Sequence, residues 1–211
     1  MDSILAVLQS VGLPVRAFDA GTIAHSERVA TYAAEIAAAL GLGRIETRTL
    51  RLGAYLHDVG KLMVSPRILR KPGRLTDAEF AIMKMHPVWG LEVLEGVQLT
   101  YDVRSTIHWH HEKYDGTGYP DGLRGDQIPL HASIVAVADV YDALTSSRSY
   151  RPPMSSAGAM ALMRVRRGWW RPEVYAAFGR AVSSTATGAA LLVAAAAATR
   201  RREAAIGSAV A

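Results

Sequence analysis

Within the apolar stretch Tyr55-Leu56-His57-Asp58-Val59-Gly60-Lys61 a histidine and an aspartate stand side by side. A chain that buries such a pair must give both side chains partners, because an unpaired buried polar group is costly. Helical spacing sets Lys61 at i+3 from Asp58 and i+4 from His57, so an ammonium stands beside whatever they bind. Neutral imidazole and carboxylate are also the side chains that hold borderline or hard divalent metals. Alone, the pair reads as a hydrogen-bonded core feature. Five further candidate ligands, each embedded in an apolar segment, change that reading.

The rest of the composition narrows the fold. Half of the 211 residues are hydrophobic, and Ala- and Leu-rich stretches with few β-branched runs favour helices. The length suits one domain with a tail: residues 1–20 an N-terminal helix or linker, 21–180 the main domain, 181–211 an Ala-rich tail, helical or partly disordered. Cysteine is absent, so any metal is held by histidine and carboxylate. That absence and the lack of a signal-peptide pattern fit a cytoplasmic protein. Net charge is +5, of which Arg200, Arg201, Arg202 and Glu203 account for +2. A field this weak and scattered helps recruit a phosphate ligand but argues against duplex nucleic acid. The uncharged stretch 181–199 is dominated by small residues, which makes it a poor membrane span.

Along the chain, residues 2–11 read as a short amphipathic helix. From His25 the apolar stripe Val29, Tyr32, Ala33, Ile36, Ala37 and Leu40 predicts a helix that ends at Gly41 and Gly43. A second helix over about 45–62 carries Leu50, Ala54 and His57 on one face. Thr76-Asp77-Ala78-Glu79 is a capping box for the next helix, which runs to His86 with that histidine pointing alongside Ile82 and Met83; Pro87 opens another helix. In Ile107-His108-Trp109-His110-His111-Glu112, adjacent helical positions lie about 100° apart. His110 and His111 therefore suit two neighbouring metals, or two widely separated positions on one. Asp115 to Gly122 is a turn-rich loop. Residues 129–147 make a buried helix in which Asp139 needs a partner and Asp142 follows it by one turn. Trp169 and Trp170, among arginines, read as packed indoles at a helix end.

The candidate ligands are His25, His57, Asp58, His86, His110, His111 and Asp139. Five imidazoles and two carboxylates are too many for one ion, whereas two ions bridged by one carboxylate would use them and leave room for solvent.

His57-Asp58 with His25 and Asp139 resembles the HD superfamily of metal-dependent phosphohydrolases. His86 and the block His110-His111-Glu112-Lys113-Tyr114-Asp115-Gly116-Thr117-Gly118-Tyr119-Pro120 resemble its HD-GYP subfamily. The similarity runs from about His25 to Phe178 and includes Lys71-Pro72-Gly73 and Asp139 to Thr145. It implies an all-α, HD-type helical bundle around a binuclear metal centre of iron or manganese. It further implies hydrolysis of the bacterial second messenger cyclic di-GMP to pGpG, in some members on to GMP, by metal-activated hydroxide. The seven candidates would be metal ligands with Asp58 bridging, and Asp58 and Lys61 would carry the chemistry. Lys61, Arg148, Arg151 and Tyr119 would contact substrate. Glu112 and Asp142 read equally as acceptors that orient ligand imidazoles and as ordinary surface or helix-face salt bridges. The Gly118-Tyr119-Pro120 loop would shape the pocket and offer a surface to signalling partners.

The pattern departs from the family at four points. Gly21 stands where members with a third metal carry Glu, so two metals are expected. Ser133 replaces a frequent Arg, the Pro after Gly-Lys is displaced to Pro66, and Trp170-Arg171-Pro172 replaces Phe-Asp-Pro. No ligand is lost, which weighs against a catalytically silent interaction module. The His110–Pro120 block weighs against an HD phosphohydrolase of other nucleotides. The segment before His25 is too short for a sensory domain, so a stand-alone catalytic unit is expected.

Overall fold

The computed structural model describes residues 20–99, 101–147 and 152–184. The helix read over 2–11, nearly all of the 181–211 tail, and Arg148 and Arg151 lie outside the described residues.

The apolar stripe after His25 becomes α1 (Ala20–Leu40), with Val29, Ala33, Ile36 and Ala37 fully buried. It stops at Gly41, whose φ of 75° is the left-handed turn that glycine allows. Next come α2 (Arg44–Leu56), a 3-10 turn (Val59–Met63), α3 (Pro66–Leu69), α4 (Asp77–Met83), α5 (His86–Val93) and α6 (Arg104–Trp109). The Asp115–Gly122 loop follows as a series of turns, then α7 (Leu130–Thr145), α8 (Ser156–Val165) and α9 (Pro172–Ser184). No strand occurs among the described residues.

The predicted helix over 45–62 is shorter. Its α-helical path ends at Leu56 and tightens into the 3-10 turn. Gly60 gives the reason: a Cβ there would lie 1.9 Å from the His86 carbonyl oxygen and 2.4 Å from the Gly90 nitrogen. The chain leaves the helix so that two backbones can touch. The capping box starts α4 as expected, with the Thr76 side chain accepting from the Glu79 amide and Glu79 accepting from the Thr76 amide. The helix does not continue to His86, however. It breaks at Lys84-Met85, so His86 is buried while Ile82 is exposed, and the expected shared direction is wrong.

Two apolar cores result. The larger packs α1, α2, α7, α8 and α9 through residues such as Ile36, Leu50, Val137, Tyr141 and Phe178. In the smaller, Leu56 and Val59 meet Leu94, Val103 and Ile107. His57 and Asp58 fall between Leu56 and Val59 of the smaller core, just after α2 leaves the larger core at Ala54. The helices α3 and α4 contribute no buried residue.

Candidate metal centre

Three of the histidines are held in the same way. His57 follows the last residue of α2, His86 opens α5 just after α4, and His110 follows α6. Helix C-termini leave carbonyls without intrahelical partners. Each of these rings sits at hydrogen-bond distance from one such carbonyl three residues back: His57 Nδ1 to Ala54 O at 2.7 Å, His86 Nδ1 to Met83 O at 2.8 Å, and His110 Nδ1 to Ile107 O at 2.7 Å. A carbonyl only accepts, so Nδ1 carries the proton and Nε2 keeps its lone pair.

Those lone pairs converge. His86 and His110 bring their Nε2 atoms to 3.2 Å, with no proton left to share. The His57 Nε2 is buried without a hydrogen-bond partner. Asp58 stands among them: Oδ1 is 3.3 Å from His86 Nε2, and Oδ2 is 3.4 Å from His57 Nε2 and 3.8 Å from His25 Nε2. Donor atoms of Asp58, His86, His110 and His111 lie within 4.8 Å of one another, as do those of His25, His57 and Asp58. Asp58 belongs to both groups. Asp139 joins the second through Oδ1, 3.2 Å from His25 Nε2. Facing lone pairs, an orphaned buried nitrogen and a carboxylate common to two groups are a donor set that fits divalent cations. His110 and His111 fall in the same group of donor atoms.

Electrostatics agree. Burial pushes His86 down to about 4 and His111 to about 3, and His110 well below its ordinary value, so these rings are neutral donors at pH 7. For Asp58 burial acts upward, but Lys61, His57, His86 and His25 outweigh it and hold the carboxyl well below the usual range. Asp139 is lowered likewise, against burial, by its hydrogen bond to His25. Burial would lower His25, yet hydrogen bonds to Asp139 and Asp142 raise it to about 9. Lys61 Nζ lies 2.5 Å from Asp58 Oδ2 with its side chain 29% exposed, so the ammonium reaches both carboxylate and solvent.

Asp142 takes the orienting role, 2.7 Å from His25 Nδ1. Glu112 does not. Its Oε1 accepts from the amides of Asp121 and Gly122 at 2.8 and 2.9 Å, because the loop folds back over α6 and leaves those amides without other acceptors. Glu112 therefore pins the loop rather than an imidazole. The loop lays the Tyr119 ring against His111, with centroids 4.8 Å apart and planes at 30°. Burial, with the charges of Asp139 and Asp58, keeps that phenol protonated. Arg28, which clamps Asp142, has no counterpart in the sequence reading; its position at i+3 from His25, on the same helix face, was the available signal.

This geometry defines an all-helical domain built around a His/Asp cluster able to bind metal. The chain belongs to the HD domain family: the family model described as "HD domain" matches residues 19–174. The chain is similar to "Cyclic di-GMP phosphodiesterase response regulator RpfG" of Xanthomonas campestris, 47% identical over 152 residues, covering 71% of this chain and 40% of that protein. It is also similar to "3'3'-cGAMP-specific phosphodiesterase 2" of Vibrio cholerae, 40% identical, covering 70% of this chain and 28% of that protein. Among solved structures it resembles Bd1817, an HDG"Y"P protein from Bdellovibrio bacteriovorus, with a TM-score of 0.61 and 28% identity, covering 75% of this chain and 51% of that one. The chain thus spans less than half the length of these two curated relatives. No helix among the described residues is long and apolar enough to cross a membrane.

Proposed function

We propose that residues 21–180 form the catalytic domain of a phosphodiesterase that hydrolyses cyclic di-GMP to pGpG with two divalent ions, iron or manganese. The observation that carries this reading is the division of the donor atoms into two groups that share Asp58. His86, His110 and His111 would hold one ion, His25, His57 and Asp139 the other, and Asp58 both. When bound, the ions supply Lewis-acid charge against the phosphodiester and the field that acidifies water.

The chain's own residues do the rest. Lys61, beside Asp58 and open to solvent, places an ammonium where charge grows on the non-bridging phosphate oxygens. Tyr119 closes the His111 side of the site, and its protonated hydroxyl is a donor to substrate. The buried imidazoles exclude water from all but the substrate face. Arg148 and Arg151 are assigned to the substrate phosphates from the family pattern. The Gly118-Tyr119-Pro120 loop is assigned a second role as a contact for signalling proteins, and the protein a cytoplasmic location.

The name of the Vibrio cholerae relative supports a second reading, in which the substrate is 3'3'-cGAMP. Manganese- or iron-loaded protein incubated with each dinucleotide, with the linear products identified by mass, tests both. Faster turnover of cyclic di-GMP is expected. No turnover of either by folded, metal-replete protein would leave a silent module.

A further inference from the structure

His25 differs from His57, His86 and His110 in what stands behind it. His57, His86 and His110 lean on main-chain carbonyls of their own turns, whereas His25 gives its Nδ1–H to a carboxylate 117 positions away. That carboxylate, Asp142, has a side chain only 1% exposed, and both oxygens are doubly engaged. Oδ1 accepts from Arg28 Nε at 2.6 Å and Ser146 Oγ at 3.1 Å, and Oδ2 from Arg28 Nη2 at 3.0 Å and His25 Nδ1 at 2.7 Å. A carboxylate has about four lone-pair positions. All are used, so Asp142 cannot turn without breaking a bond to Arg28 or His25.

We infer that Asp142, locked by the planar fork of Arg28, is a positioning residue that fixes His25 as an Nε2 donor and strengthens it, so that the two donor groups hold their ions unequally. The inference rests on the binuclear reading above. A carboxylate behind Nδ1–H leaves more electron density on Nε2 than a carbonyl does. The His25 group thus combines a carboxylate-backed imidazole with Asp139, while the His86 group has three imidazoles and shares only Asp58. Arg28 is required because it compensates the Asp142 charge in the buried site and sets its plane, which the single ammonium of lysine cannot do.

The competing explanation is a plain staple between α1 and α7, and metal uptake separates the two. Chelator-treated full-length chain is titrated with Mn2+ by calorimetry, with thermal melts alongside. In Asp142→Asn one of two binding steps is expected to weaken by roughly 10- to 100-fold while the other stays as in the unmodified protein. Arg28→Lys should weaken the same step, less than Asp142→Asn and less than Arg28→Ala. Should Asp142→Asn fail to fold, Arg28→Lys and Ser146→Ala carry the same test. Two unchanged steps, or two steps weakened alike in proportion to the fall in Tm, would overturn the inference. A single step in the unmodified protein would end the binuclear reading and the unequal holding with it, and weakening of that step in Asp142→Asn would then test the positioning of His25 alone. No Mn2+ uptake at all would sink both.

Discussion

The two donor groups meet at one aspartate but are built by different means. On one side, His86 and His110 occupy helix ends, each oriented by a carbonyl three residues away. On the other, His25 and Asp139 sit within α1 and α7, and their alignment depends on Asp142 and Arg28 across the helix pair. Local backbone geometry orients His86 and His110 of the first group and His57 of the second, whereas His25 and Asp139 are aligned only once α1 and α7 have docked. Such a site has three rings that secondary structure orients and two side chains, His25 and Asp139, that tertiary packing must align.

Asp58→Ala removes the residue common to both halves. Turnover should fall on the order of a thousandfold or more, because several kcal/mol of Lewis-acid stabilisation goes with the ions. Metal analysis should show both ions depleted, and retention of one at full affinity would mean that the halves are independent. Lys61→Ala should spare the ions and lower kcat by about a hundredfold, the scale of losing one preorganised charge donor. Equal metal content with unchanged kcat would remove Lys61 from the chemistry.

Gly60→Ala probes the packing of the 3-10 turn against α5. With backbone atoms at 1.9 and 2.4 Å from the new Cβ, the 3-10 turn must part from α5, at a cost of about 3 kcal/mol. Denaturant unfolding reads the loss, and Mn2+ titration should show the His86 group weakened first. A variant as stable as the parent would show that the contact gives way freely.

The gentlest probe is pH, applied to chelator-treated protein. His86 and His111 titrate near 4 and 3 when folded, against 6.5 in the unfolded chain. The unfolded state therefore binds more protons below pH 6.5, and stability falls as pH drops toward 4. His25, raised to about 9, acts oppositely: its contribution is complete below 6.5 and is lost as pH rises through 9. Tm should peak near neutrality, and a Tm still climbing between pH 6.5 and 9 would contradict the contrast between the halves.

What could be seen in the sequence follows the same division. The stripe of α1, the capping box at Thr76 and the buried run of α7 are local patterns, and each produced its helix. The seven ligand candidates were legible because an imidazole or carboxylate inside an apolar run demands a partner. The stop at Leu56 was not, because it answers to a backbone contact between Gly60 and α5 far along the chain. The phase of His86 was misread because two residues at Lys84-Met85 reset the helix. The role of Glu112 stayed open because an acceptor beside histidines gives no sign that two loop amides will claim it.

Gly118 lies directly on the main chain of Glu112 and Lys113, where any Cβ would come within 2.4 Å of backbone atoms. No rotamer adjustment can absorb a side chain at that seat, so a replacement must lift the rim and carry the Tyr119 ring off His111. Single substitutions here are all-or-nothing events. Gradual change in what the pocket admits has to come from neighbouring side chains, with the path of the peptide itself left as it is.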